Sequence, residues 1–492
     1  MKKSIYLNLI KIILFGTLTV LMLKGILEVF NYKNTGGGGG WQHFYQMDND
    51  SIDAIFFGSS HAHCTIDHGY LWDHYGMAGY TLSAGDQQLD STCYFVKEAL
   101  RIKRPRVIAV EMLGAVMGEF DNTDTDIYRN SLGMKWSGTF VKYVDYLAES
   151  MELDNSRKNE ILAKIPVIHS RYKELDRTDF EDDLPFMVGY RGSYEVVPLE
   201  RPVEETGGEH AGLSEEKQKV LQEIIDEAQK SGVGIVFFAA PFAVSKEQQR
   251  GFEAVEEFAV AQGVPFINYN KLYDEIGIDF ETDFRDDGHV NNNGAAKVTA
   301  HLAAFLKDNY ALPDRRGEQG YQIWEDNSLY LRNKALGHKL ENAADLNEYL
   351  ELLAEIKEEK TVLIALTGNY RALGDVYLDA LMQLGITEDE YLSGGTFLFR
   401  GGERLAWLPG KEYDECFSVK NGEIHVESSA YLAEDGTERQ NAKLLVGGTD
   451  YFMAENGVNL VVYEESMDQV IDAAGDDVYQ GLELIHMEKK EN

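Results

Sequence analysis

The stretch IDAIFFGSSH, residues 52–61, carries an apolar, β-branched and aromatic run straight into Gly58, Ser59, Ser60 and His61. The run is too short for a helix and reads as a buried strand over 52–57, while the small polar residues after it read as a strand-to-helix turn. Runs of the same kind recur at 79–82, 107–111, 234–239 and 265–268. Helical periods fill the gaps, near 87–102, 214–231, 246–262 and 294–309, with Ser214 as an N-cap. Strand and helix in alternation predict an α/β domain with a parallel sheet over 51–312.

Two features interrupt or end that rhythm. Residues 114–213 are polar and irregular, with helical patches at 134–147 and 154–164, and read as an insertion beside the sheet that either builds a cleft wall or is inert surface. At 311–320, ALPDRRGEQG marks a boundary. The remainder, 318–492, reads as a smaller accessory α/β or α+β domain. Its expected helices lie at 344–357 and 372–384, and its expected strands at 361–366, 396–399, 443–446 and 459–463.

The 492 residues allow two or three domains. Lys and Arg number 46 against 83 Asp and Glu, a formal net charge of −37, and such a field repels phosphate backbones and disfavours nucleic-acid partners. Three scattered cysteines, Cys64, Cys93 and Cys416, give no disulfide framework.

Residues 1–33 read as a cytoplasmic stub and an uncleaved signal anchor. Residues 4–30 are mostly apolar and long enough to cross a hydrocarbon layer of about 30 Å. Lys11 and Lys24 bracket a strictly apolar core, 12–23, and can snorkel to opposite interfaces. Lys2, Lys3 and Lys11 precede that core, which puts the N-terminus in the cytoplasm and the rest outside the cell membrane. Residues 34–50, with Gly36 to Gly40, read as a flexible tether.

A serine at the carboxyl edge of an open α/β sheet exposes its hydroxyl where such sheets bind ligands, and its own N–H points into the same cleft. In DFRDDGHVNNNGAAKVTAHLAAFL, residues 283–306, Asp286 and His289 stand three apart just before the closing helix. Neutral His289 can take the serine proton while Asp286 holds its tautomer. The competing reading is that Asp, Asn and Gly only cap the helix, with Asp283 and Asp287 as spare carboxylates.

Taken together, the strand-1 serine and the D-x-x-H make 51–309 resemble the SGNH (GDSL-type) hydrolase family. The resemblance implies a three-layer α/β/α sandwich with about five parallel strands, no cofactor, and Ser60, His289 and Asp286 as nucleophile, base and orienting acid. It also implies three oxyanion donors. Ser60 and Gly85, in TLSAGDQQ, match two of them; Glu111 and Met112 stand where an asparagine is expected, and Gln87 or Gln88 is the remaining candidate. Ser59, His61 and Glu111 are then expected to line the substrate cleft. Within the family the chain is most similar to membrane-anchored DltD-like and alginate-acetylation-like envelope proteins. That likeness implies an esterase or O-acyltransferase acting on acyl, chiefly acetyl, esters of cell-envelope glycans beside a membrane-bound O-acyltransferase. The elements TVLIALTGNY, DVYLDALMQLGI and NGVNLVVYEESMDQVIDAAG resemble the interleukin-like EMT-inducer domain, in a different order.

Two other readings stand beside this one. A catalytically silent envelope scaffold or glycan-binding protein fits the missing asparagine. A metal-dependent enzyme would use His61, His63, Cys64 and His68, which crowd one loop.

Overall fold

The computed structural model describes residues 2–30, 38–117, 127, 130–173, 175, 180, 188–202, 212–374, 377–432, 438–480 and 484–487. Its apolar runs become β1 (Ala54–Gly58), β2 (Gly79–Ser83), β3 (Val107–Glu111), β4 (Gly234–Ala239) and β5 (Phe266–Asn268). They form one parallel sheet in the order β2-β1-β3-β4-β5. Every residue of β1, β2 and β3 is buried, as a parallel sheet covered on both faces requires. Helices Leu89–Ile102 and Glu215–Ser231 pack together on one face, and Asn292–Asn309 packs on Ser60–Thr65 and His68–Tyr75. The register pairs Gly58 with Ser83, Glu111 with Phe238, and Ala239 with Asn268, so all five strands end along one edge.

The chain divides into two units, Met1–Tyr330 and Leu331–Asn492, and not at 312–318. The charged segment that suggested a break there is anchored in the first unit. Arg315 grips the buried Asp53 carboxylate through Nε and Nη2, both at 2.9 Å, and Trp324 is buried with Nε1 donating to the Gly79 carbonyl at 2.8 Å.

The tether expected over 34–50 is, from Gly38 on, a helix, Gly38–Gln46. Trp41 and Phe44 on it are fully buried, Trp41 against Phe95 at 5.0 Å between centroids and Phe44 against Tyr80 at 5.3 Å. Each helical glycine costs about 1 kcal/mol. Burying two large aromatics contributes roughly 2–3 kcal/mol apiece, which offsets that cost. Residues 34–37 lie outside the described residues.

One N-terminal helix, Lys2–Phe30, contains a 20-residue stretch, Asn8–Leu27, of mean hydropathy 2.0 with none of it buried in the protein. It is long and apolar enough to span a membrane. The insertion contributes helices Gly138–Ser150, Asn155–Ala163 and Ile165–Ile168, then an extended segment over 188–202.

In the second unit, six strands, β6 (Thr361–Thr367), β7 (Gly395–Arg400), β8 (Glu403–Leu408), β13 (Gly457–Glu464), β14 (Gln469–Asp477) and β15 (Ile485–His486), pair in the order β15-β14-β13-β6-β7-β8. The other four, β9 (Tyr413–Val419), β10 (Gly422–Leu432), β11 (Glu438–Val446) and β12 (Thr449–Asp450), form a second sheet. The pairings within both sheets are antiparallel, so this unit is α+β. One core joins the six-stranded sheet to helix Leu346–Ile356, and another, around Leu363, Leu398, Ile424 and Leu444, joins the two sheets.

Candidate active site

The site begins at the carboxyl end of β1. Gly58 adopts φ +143°, and a Cβ there would stand 2.6 Å from Cβ of Glu111, so the crossing requires glycine. Ser59 then caps helix Ser60–Thr65, its Oγ accepting from the His61 N–H at 3.2 Å and donating to Glu111 Oε2 at 2.8 Å. Glu111 also accepts from the N–H of Ser59 at 3.3 Å and of Leu113 at 2.6 Å. Burial pushes the Glu111 carboxyl up to about 7 in spite of those three bonds. Ser59 and Glu111, expected in the substrate cleft, are 1% and 2% exposed and form a buried brace beneath the turn. Their short side chains meet because β1 and β3 are neighbours, which no spacing in the sequence reveals.

Ser60, next in the chain, is partly exposed at the first position of the helix. Its Oγ lies 2.7 Å from Nε2 of His289, a residue 229 positions away, and His289 Nδ1 lies 2.8 Å from Asp286 Oδ1. The loop that carries the pair is pinned at its base by the Phe284–Val290 bridge and by the Arg285 N–H donating to the His289 carbonyl at 3.1 Å. Capping of helix Asn292–Asn309 falls to Asn291, whose Oδ1 accepts from the N–H groups of Asn293 and Gly294. Asp283 is buried and bound to Lys297 Nζ at 2.5 Å. Asp286 is therefore free of the capping duty that the competing reading gave it. Burial alone would raise its pKa, but the His289 ring, the Gly288 N–H and Arg285 outweigh burial and hold the carboxyl below its ordinary value. An ionised Asp286 accepting from Nδ1–H leaves Nε2 as the acceptor facing Ser60.

His61 is 4% exposed and lies behind the base, 5.1 Å from the His289 ring and 4.8 Å from the Phe242 ring between centroids. Burial first, then the nearby His289, lowers its pKa to about 3, so it stays neutral. Expected to line the cleft, it instead packs the base in place, and its Nδ1 has no hydrogen-bond partner among the described residues. The metal cluster considered for this loop does not assemble. His63 Nδ1 bonds Ser83 Oγ at 2.8 Å, His68 Nε2 bonds Thr81 Oγ1 at 2.8 Å, and the Cys64 thiol is buried and pushed up to about 11 by that burial. Among the described residues no group of three or more His, Cys, Asp or Glu is arranged to hold a metal ion.

Of the oxyanion candidates, Ser60 opens the helix after β1 and Gly85 lies in the turn after β2, at the same sheet edge, and Gly85 is partly exposed. Gln87 is fully buried with Nε2 donating to Thr92 Oγ1 at 2.9 Å, so its amide lies inside the core rather than exposed to a ligand.

The insertion, read as a cleft wall or as inert surface, joins this rim through its segment 188–202, which the sequence did not single out. Val188 accepts from the Thr81 N–H at 3.0 Å, the Arg191 N–H donates to the His63 carbonyl at 2.7 Å, and the Val197 N–H donates to the Phe284 carbonyl at 2.9 Å. Tyr190 Oη donates to Asn292 at 2.6 Å. The end of the insertion thus straps the serine helix to the D-x-x-H loop. Its glycines were the available signal, since Gly189, at φ +91°, lies where a Cβ would meet the Thr81 carbonyl.

No protein-family model matches the chain, and no curated protein sequence does. Among solved structures it is similar to a Bacteroides fragilis crystal structure described as a "putative acylhydrolase", at 11% identity over 54% of this chain and 93% of that one, with a TM-score of 0.27.

Proposed function

We propose that this chain is a membrane-anchored serine esterase or O-acyltransferase that forms an acyl-enzyme at Ser60. The observation that carries the reading is the continuous Ser60–His289–Asp286 relay, 2.7 Å and 2.8 Å, at the sheet edge where ligands bind. As Ser60 Oγ attacks the ester carbon, its proton passes to His289 Nε2, and Asp286 stabilises the imidazolium. The N–H groups of Ser60 and Gly85 are the candidates to hold the oxyanion. Collapse expels the alkoxide, which takes the proton from Nε2. Water or a sugar hydroxyl then gives its own proton to Nε2 and attacks the acyl carbon, and on collapse the departing Ser60 Oγ takes that proton back from Nε2; water gives hydrolysis, a sugar gives transfer.

The apolar helix Lys2–Phe30 supports anchoring, and Lys2, Lys3 and Lys11 favour a cytoplasmic N-terminus with the site outside. Acyl esters of envelope glycans, with a membrane-bound acyltransferase as partner, are the substrate and partner classes that the sequence resemblance implies. The test is labelling by a fluorophosphonate probe alongside acetyl-ester turnover. Wild type is expected to label, and Ser60→Ala to lose the label and roughly a million-fold in kcat. Unchanged turnover in Ser60→Ala refutes the reading, and a wild type that neither labels nor turns over ester refutes it in favour of a silent scaffold.

A further inference from the structure

A cavity of about 450 Å³, lined by none of the residues of the serine site, lies at the C-terminal foot of helix Lys2–Phe30. Lys24 and Leu27 of that helix, Tyr45 of helix Gly38–Gln46, and Lys135, Trp136 and Lys164 of the insertion line it. The foot of the helix is fixed to the insertion. Leu27 and Phe30 pack on Leu132, Val167 and Ile168, and Arg171 Nη1 donates to the Phe30 carbonyl at 3.0 Å. The same insertion exposes large aromatics, Trp136 at 70% and Tyr172 at 62%. Exposed Trp and Tyr at the end of an apolar helix are the side chains that settle at a membrane–water interface.

The polar groups of the cavity are biased to one sign. Among the described residues three lysines line it and no Asp or Glu does, in a chain whose net charge is −37. Lys135 stands 4.5 Å over the Tyr45 ring, and neither it nor Lys24 has a carboxylate partner among the described residues. Lys164 Nζ donates to the carbonyls of Leu132, at 2.8 Å, and Met134, and lies 4.5 Å over the Phe140 ring. Burial lowers the Lys164 ammonium to about 7, so an anion beside it would be repaid by a restored charge. Leu27, Leu132 and Ile168 supply an apolar wall alongside.

We infer that this cavity binds an anionic phospholipid of the surrounding bilayer, its phosphate at the lysine rim and its acyl chain along Leu27, Leu132 and Ile168. A soluble polar ligand has no use for the apolar wall, and a neutral lipid has none for three lysines without a carboxylate beside them. The inference rests on the anchor reading, but not on the serine chemistry. Bound lipid would fix the insertion, and with it the strap over 188–202, at a set height above the membrane.

The test reconstitutes the full chain into phosphatidylcholine vesicles containing increasing phosphatidylglycerol, with bromine on the acyl chains of one lipid or the other, and reads tryptophan emission. Of the five tryptophans Trp136 lines the cavity while Trp41, Trp72 and Trp324 are buried, so Trp136 is the reporter there and Trp136→Phe separates its signal from that of Trp407. Brominated phosphatidylglycerol is expected to quench at a lower mole fraction than brominated phosphatidylcholine. Lys24→Gln and Lys135→Gln are each expected to raise that mole fraction about fivefold, the worth of one cation at a charged surface. Equal quenching by the two lipids, indifference to both lysine variants, or release by inorganic phosphate overturns the proposal. Failure to enter neutral vesicles overturns the anchor reading and the site with it; entry without selective quenching overturns the site alone.

Discussion

Replacing Glu111 with Gln should flatten the pH dependence of stability in the first unit. The carboxyl titrates near 7 when folded, against 4.5 for an unperturbed glutamate, because burial outweighs the bonds from Ser59 and Leu113. A folded pKa above the unfolded one means that the native state holds the extra proton between those values, so stability falls as pH rises from about 4.5 and levels off above about 7. The full difference of about 2.5 pKa units is worth roughly 3 kcal/mol, of which roughly 2.5 kcal/mol lies between pH 5 and pH 8. Gln cannot ionise and should lack that slope. It also loses the Ser59 N–H bond, which costs about 1 kcal/mol at every pH. Urea unfolding of detergent-solubilised wild type and Glu111→Gln at pH 5 and pH 8, followed by the emission of Trp41, Trp72 and Trp324 buried in that unit, measures both effects. Parallel changes with pH in the two proteins would refute the reasoning, since they would mean that Glu111 is ionised throughout.

Asp286→Asn should leave the fold intact and lower acetyl-ester kcat by about 10⁴, because the amide favours the wrong His289 tautomer; a loss under tenfold would contradict the relay. Trp41→Ala should destabilise the first unit by about 3–5 kcal/mol in the same urea experiment, whereas a residue on a flexible tether would cost nothing measurable. Chelation should leave ester turnover unchanged and metal analysis should find no stoichiometric ion. Zinc at one per chain, lost together with activity, would instead restore a role for His61, His63, Cys64 and His68.

The parallel sheet was legible because strands covered on both faces are unbroken apolar runs, and β3 and β4 fall on the residues read for them. Helix Gly38–Gln46 was hidden, since its glycines speak for a tether and only the receiving pocket around Phe95 and Tyr80 reveals why Trp41 is there. In the second unit, β13 is buried at every position and was read. β9 has no buried residue and β10 buries only Ile424, Val426 and Ser428, without the apolar run that announces a strand, so their pairing appears only in the sheet. At the site, serine, histidine and aspartate carry their chemistry in their spacing and the structure brings them together. Glu111 looked like a cleft residue because a lone carboxylate gives no sign of its burial.

If the proposed chemistry follows the family resemblance, Glu111 in place of an asparagine is expected to lower its rate. The family resemblance implies three oxyanion donors, the third from an asparagine at the end of β3. Glu111 occupies that strand end, but its oxygens accept from Ser59 and Leu113 inside the protein, and the Gln87 amide is committed to Thr92. The backbone N–H groups of Ser60 and Gly85 then remain, with half-buried Gln88 as the other candidate for the third donor. Losing one donor costs about 10²–10³ in kcat. Against a typical enzyme turnover of about 10 s⁻¹, acetyl-ester hydrolysis is therefore expected at roughly 0.01–0.1 s⁻¹. Stopped-flow release of a chromogenic alcohol, with the burst phase taken as acylation, reads the step directly. Acylation near the typical rate would mean that another group supplies the third donor, and the partly exposed turn after β2 and the strap over 188–202 are where such a donor would have to come from.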